Sequence, residues 1–195
     1  THSISSLGIT SPGTVLQEIH GFCDGRTVAG VSFPNVTATQ NLTTSHADIT
    51  GSSISYTPPA GTTTVVYTFS FHWEAQSYSG LSHYEFYIDG TPVNNGYGRR
   101  TQVGAYQANH QNVSRVVYEF PILIDSTLDS DEITNLKLKS WTSARTLKMT
   151  GRYYGSTYNA ALHHNVWFNG ASASTSDTTP STALALPTLS LKAIA

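Results

Sequence analysis

Charge is scarce in this sequence. Only 11% of its 195 residues are Asp, Glu, Lys or Arg, against a usual quarter, and the formal net charge is -2. With so little charge and no basic stripe, nucleic acid is not an expected partner. The shortage also argues against a helical bundle, which draws on Glu, Lys and Arg. Cysteine is scarcer still, since Cys23 stands alone. No internal disulfide framework can hold such a fold, so stability must come from the core, from partners, or from both. No apolar run reaches the roughly 20 residues that a membrane-crossing helix needs, so membrane insertion is not expected. Thr1 opens a polar stretch without the charged-then-apolar pattern of a leader. The one methionine is Met149, which implies an initiator removed or a chain processed from a longer one.

Aromatic and β-branched residues are plentiful instead. Aromatics make up 11% of the chain, Tyr leading with 11 residues, and Thr, Ser, Asn and Gly fill the polar positions. Such a composition suits short strands and hydrogen-bonded loops. The length allows one sizeable core. The expectation is an all-β fold.

The clearest periodicity lies in Gly51–Glu74. Val65, Tyr67, Phe69, Phe71 and Trp73 occupy one parity, and Thr64, Val66, Thr68, Ser70 and His72 the other. This predicts a strand with one apolar face, preceded by a Thr57-Pro58-Pro59-Ala60-Gly61 turn that makes the stretch a hairpin with Ile54–Tyr56. Val15–His20, Ser82–Asp89 and Val113–Ile124 read as further strands, with Pro121 marking a bulge or an edge. Asp89-Gly90 supplies the positive φ angles of a tight hairpin turn. Ile133–Trp141 and Thr146–Tyr154 are predicted to pair antiparallel across Thr142–Arg145. Eight to ten strands and no helix predict an antiparallel β-sandwich with jelly-roll wiring. The expected layout is an N-terminal arm over 1–14, the sandwich over 15–169, a Ser/Thr-rich linker over 170–182, and a C-terminal strand or docking arm over 183–195. Ile4, Leu7 and Ile9 in the first arm, and Leu184, Leu186, Leu189 and Leu191 in the last, are the candidate assembly residues. Both segments are expected to contact other chains rather than this chain's own core.

The chemistry-bearing residues form no recognisable catalytic set. His72 and Glu74 share a strand face without a second histidine at ligand spacing. His163 and His164 are adjacent, so on a strand their rings point to opposite faces. No metal site and no cofactor are therefore expected. Glu74, Glu85, Asp89 and Glu119 are the acids available for a paired-carboxylate mechanism, but no spacing singles out two of them. No nucleophile elbow surrounds a serine, and Cys23 reads as a small buried filler. The acids Asp125, Asp129, Asp131 and Glu132 lack the mid-loop glycine of a calcium loop and read as a solvated turn. Three glycosylation sequons, at Asn35, Asn41 and Asn112, are expected by chance in so Asn- and Thr-rich a chain. Tyr97, Tyr106 and Tyr158 are candidate glycan-stacking residues, because tyrosine offers a broad ring with a wet hydroxyl.

The stretch ADITGSSISYTPPAGTTTVVYTFSFHW, the upstream VLQEIHGFCDG and the later WTSARTLKM resemble virion proteins of aquatic, especially marine, bacteriophages. The likeness covers about residues 14–168. It implies a non-enzymatic β-sandwich on the virion surface, as a capsid decoration or fibre protein. Implied partners are copies of itself, with a trimer the expected form, and other virion proteins. A carbohydrate-binding, lectin-like module that attaches to host-surface glycans is the alternative, and a hydrolase or lyase the third class.

Overall fold

The computed structural model describes residues 11–76, 79–94, 96–104, 112–155, 157–164 and 184–195. Its strands are β1 (Val15–Phe22), β2 (Thr27–Val28), β3 (Val31–Ser32), β4 (Gln40–Asn41), β5 (Ala47–Asp48), β6 (Ile54–Tyr56), β7 (Thr64–Ala75) and β8 (Ser82–Ile88). They continue with β9 (Thr91–Pro92), β10 (Arg99–Gln102), β11 (Asn112–Ile124), β12 (Lys137–Leu138), β13 (Arg145–Tyr153), β14 (Ala160–Leu162) and β15 (Thr188–Ile194). One 3-10 turn, Ile133–Asn135, is the helical piece among the described residues.

Eight strands carry the architecture. One sheet runs β1-β15-β7-β11 and the other β10-β8-β13-β6. Numbered one to eight along the chain, they form sheets ordered 1-8-3-6 and 2-7-4-5, the wiring of a jelly roll. The short β12, β14 and β4 extend the first sheet, and β5 and β9 the second.

The alternation in β7 has the predicted consequence. Val65, Tyr67, Phe69, Phe71 and Trp73 are buried, and across the sandwich so are Tyr84, Phe86, Ile88, Leu147 and Met149. Aromatic rings lock the layers together. Phe86 stacks on Phe120 with centroids 4.3 Å apart, and Tyr67 meets Phe86 at 5.0 Å. Each such side chain contributes about 1.5–3 kcal/mol by leaving water, which explains how a core without disulfides holds two sheets together. Cys23 is a buried filler as expected. Its Sγ lies 3.2 Å from the Gly51 carbonyl oxygen, and burial pushes the thiol up to about 12.

The Asp89-Gly90 turn also forms as predicted, with φ of 49° and 79° at its two centres. Asp89 reinforces it by accepting the Thr146 N–H at 2.8 Å and pairing with Arg145 at 3.0 Å. Pro121 sits on β11, whose far side meets, among the described residues, only β12, at Leu123 and Ile124. That is the edge position a proline requires.

Three expectations are corrected. The Thr57–Gly61 turn closes no hairpin, because β6 pairs with β13 in one sheet while β7 belongs to the other. The turn is a corner between layers. Ile133–Trp141 and Thr146–Tyr154 do not pair with each other. Leu136 takes φ of 58° and turns the chain, so Lys137–Leu138 lies parallel to β11 while β13 pairs with β8. Alternation identifies a strand's faces but not its neighbour. The last correction concerns the tail. Far from docking on another chain, Thr188–Ile194 inserts between β1 and β7. Leu189 and Leu191 are wholly buried, and Leu184 and Leu186 pack partly buried against the same core. Seven residues with partners on both edges satisfy their backbone within this chain. The arm residues Ile4, Leu7 and Ile9 lie outside the described residues.

Truncation before Thr188 is therefore expected to abolish the cooperative thermal transition, and Leu191→Ala to cost about 2–5 kcal/mol in chemical denaturation. A truncated chain that melts like the intact one would contradict this placement.

Candidate ligand-binding cleft

A cleft of about 470 Å³ opens on one flank of the sandwich, lined by Tyr97, Arg100, Pro121, Leu123, Asn135 and Lys137, with Thr64, Gly96 and Leu136 completing it. Its volume falls in the range of small-molecule sites. Two segments build its rim: the connection between β9 and β10, and the turn before β12.

The first segment is tightly held. The Phe86 N–H donates to the Gly98 carbonyl at 3.0 Å, and the Val93 N–H returns the bond to the Phe86 carbonyl at 2.8 Å. A Cβ at Gly98 would lie 2.5 Å from Val93, so only glycine lets the chain pass here. The Tyr97 N–H closes the loop on the Asn94 carbonyl at 3.2 Å, leaving the Tyr97 side chain 52% exposed. Arg100 stacks its guanidinium 5.2 Å from the Phe120 ring centre, bridging the open flank between the two sheets. Its Nη1 donates to the carbonyls of Arg99 at 2.9 Å and Gly96 at 3.3 Å. The arginine thus holds the loop that carries Tyr97.

The second segment turns through Leu136, whose N–H donates to Ile133 at 3.0 Å and whose carbonyl accepts the Leu123 N–H at 2.9 Å. A branched residue with positive φ is costly unless its surroundings fix it. Here the β11–β12 ladder does so, and it sets Lys137 beside Leu123. The floor is apolar, from Pro121, Leu123 and Leu136, and the rim is polar. That combination suits a ligand with both faces.

Of the three tyrosines selected from sequence, Tyr97 alone is placed in the cleft. Tyr158 lies elsewhere, its ring edge-on to Tyr154 at 5.5 Å, with Tyr154 in turn 6.3 Å from His83. Tyr106 lies outside the described residues. Arg100, Asn135 and Lys137 were not selected. Arg100 follows an Asn/Gly turn cluster, a readable signal, whereas Lys137 reaches the site only through a parallel pairing that no periodicity announces.

The other chemistry-bearing residues are engaged separately. His164 Nδ1 hydrogen-bonds the buried Glu74 carboxylate, while His163 turns into the core beside Phe69 and Phe71, so the two rings do take opposite faces. Glu85 accepts the Tyr87 hydroxyl at 3.0 Å and pairs with Arg99 at 3.2 Å. Glu119 faces Thr68 at 3.5 Å. Asp131 accepts the Lys139 N–H at 2.8 Å and pairs with Arg145 at 2.6 Å. Asp125 accepts the Thr127 hydroxyl at 2.6 Å. These turn acids hold local backbone. Among the described residues no three His, Cys, Asp or Glu side chains are grouped to hold a metal ion.

No protein-family profile matches this chain, and neither does any curated protein. Among solved structures it is similar to the CBM36-1 domain of a multidomain xylanase from the hindgut metagenome of Trinervitermes trinervoides. That likeness has a TM-score of 0.37 and 10% identity over 90% of this chain and 96% of that one. It is also similar to the EclA C-terminal domain, a sugar-binding protein, with a TM-score of 0.27 and 9% identity over 79% of this chain and 78% of that one. A chain of infectious bursal disease virus, Gx strain, gives a TM-score of 0.32 and 11% identity over 93% of this chain and 37% of that one. At such scores these likenesses carry no functional argument. The all-β sandwich rests on the strand pairing itself.

His163 generates a prediction. Burial pushes its imidazole down to about 4 from an ordinary 6.5. Between those values the unfolded chain binds the proton that the folded one refuses, so stability is full above about pH 6.5 and falls as pH drops. The loss by pH 4 is about 3 kcal/mol. His163→Phe should flatten the stability profile between pH 7 and 4.5, read by urea denaturation. An unchanged slope would assign the acid lability to other groups.

Proposed function

We propose that this chain is a non-enzymatic binding module whose cleft takes a saccharide. The observation that carries the reading is the half-exposed Tyr97 ring, lining a cleft with an apolar floor and an Arg, Asn and Lys rim. A pyranose ring has an apolar C–H face and an equator of hydroxyls. The tyrosine ring and Pro121 suit the first, and the rim side chains suit the second. Separate engagement of Glu74, Glu85, Asp89 and Glu119 favours binding over glycosidic cleavage, which needs two acids facing one bond. Tyr97→Ala should weaken saccharide binding at least tenfold, about 1.4 kcal/mol, in calorimetric titration against oligosaccharides first selected on a glycan array. Retained affinity in that variant would place the sugar elsewhere.

A second reading, a subunit of a virion surface, has an observation of its own. The outer face of the β1-β15-β7-β11 sheet exposes apolar side chains in register. Phe22 and Val117 lie in one row with Thr188 and Ser70, and Val15 and Leu123 lie in another with Ile194 and Thr64. Val117 is 56% exposed and Phe22 48%. Such a face supports association with further copies of this chain, a trimer being the form the bacteriophage resemblance implies, and with other virion proteins. The Phe22–Val117 row is the part of this face clear of the cleft, since Thr64 and Leu123 of the other row also line the cleft. Light scattering should find an oligomer that Phe22→Lys with Val117→Lys converts to a folded monomer. A wild-type monomer at micromolar concentration would remove this reading.

A further inference from the structure

The saccharide reading leaves open which sugars the cleft would accept. The charges around it narrow the class. Nine residues line the cleft, and none is an acid, while Arg100 and Lys137 are both cations. On a chain of net charge -2, this is a locally positive recess. Among the described residues neither cation forms an ion pair, a condition shared with Arg115, Arg152 and Lys139, whereas Arg26, Arg99, Arg145, Lys148 and Lys192 are each paired with a carboxylate; Arg100 and Lys137 are the two cations that line the cleft.

The hydrogen-bond inventory agrees. Arg100 spends Nη1 on two backbone carbonyls and is braced on Phe120, but Nε and Nη2 have no protein partner among the described residues. Those two nitrogens form the edge of the guanidinium fork that grips a carboxylate through two parallel bonds. Lys137 Nζ has no partner among the described residues either. Two acids stand near it outside the cleft lining: Asp125, whose carboxyl it helps to hold low, and Glu132, whose backbone is bridged to that of Lys137. Asn135 of the lining donates through Nδ2 to the Glu132 carboxylate at 3.4 Å, an acid that does not itself line the cleft. Lining a cleft with two cations and no acid disfavours a cationic ligand, and it lets a neutral one use their N–H groups but not their charge.

We propose that the cleft selects acidic saccharides, in which a carboxylate or sulfate ester on the pyranose lies between Arg100 and Lys137 while the ring faces Tyr97. This rests on the saccharide reading of the same cleft. Arg100 is already immobilised by Phe120, so less side-chain freedom is lost when it binds. Lys137 is exposed and adds a mobile point charge that suits either anion.

The test uses the full chain and three probes of equal length: trigalacturonate, its carboxyl-reduced neutral counterpart, and a sulfated galactose trisaccharide. Trigalacturonate should bind at least tenfold more tightly than the neutral probe, and that preference should shrink as sodium chloride rises from 50 to 500 mM. Lys137→Gln, on an exposed side chain, should lower affinity for trigalacturonate about fivefold to tenfold and lower affinity for the neutral probe by less, so that the acidic preference narrows. Arg100→Gln should have the larger effect, read only if its melting temperature is preserved. A sulfated probe that equals trigalacturonate assigns recognition to charge alone, and a weaker one assigns it to the carboxylate fork. Either outcome supports the proposal. Equal affinity for acidic and neutral probes, both lost in Tyr97→Ala, overturns the acidic preference but leaves the saccharide reading standing. Acid preference that survives in both cation variants overturns the assignment to this cleft. Failure of all three probes, and of every neutral oligosaccharide on an array, overturns the saccharide reading itself.

Discussion

Seven residues at the end of the sequence, Thr188–Ile194, join the first strand to the rest of the molecule. β15 lies between β1 and β7, pairing with one across Thr188–Ile194 and with the other across the same residues. Remove it, and β1 has no partner among the described strands, while β7 loses the neighbour along its first half. The second half of that edge is taken by β14, paired at Trp73–Ala75, and the opposite edge by β11. β7 is thus saturated on both sides, as the middle of a sheet must be when its inner face carries five large side chains. The whole first sheet depends on a ladder that cannot close until Thr188–Ile194 is in place.

Closure at that point leaves the flank on the other side open, and the cleft lies there. β11 pairs with β7 along nearly its whole length but meets only the two-residue β12 beyond, and β10 lies at the corresponding edge of the second sheet. Two sheets that end side by side would expose the core rings Phe120 and Phe86 to water. Arg100 covers Phe120 with its guanidinium instead, a polar lid with an apolar underside. The same side chain ties down the loop that presents Tyr97. The recess is a product of how the sandwich is sealed along an unpaired edge, with the sealing residue also supplying its charge.

The two outer faces of the sandwich differ in kind. The second sheet's outer face is knitted by polar pairs: Glu85 with Tyr87 and Arg99, Lys148 with Asp48, and His46 with Thr150 at 3.0 Å. The first sheet's outer face exposes Phe22, Val15, Val117 and Leu123, with the Glu18–Lys192 pair and Glu119 between their two rows and Arg115 over Ser70 and Thr188. In a chain with only 11% charged residues, charge is spent where backbone turns and flanks need it. One broad face is left suited to another protein surface.

Period-two alternation in β7 gave the strand, its buried face and the sandwich class, because side-chain direction along a strand is a local property. Asp89-Gly90 gave its turn for the same reason, since the φ requirement sits in the two residues themselves. Pro121 announced an edge. The adjacent histidines do face opposite ways, but through a φ of 59° at His163 just past β14 rather than through strand alternation. The identity of each strand's neighbour was not written locally. The alternating leucines of the tail read the same whether they fill another chain's groove or this chain's own sheet, and only the ladder with β1 and β7 decided it. Lys137 and Arg100 are 37 positions apart by their numbers. They meet because Leu136 turns the chain into a parallel pairing and Arg100 reaches across an open flank, and both are consequences of tertiary packing. Tyr97 was legible as an exposed ring on a turn. The cleft beneath it was not, because a concave surface belongs to the arrangement of strands and not to any stretch of sequence.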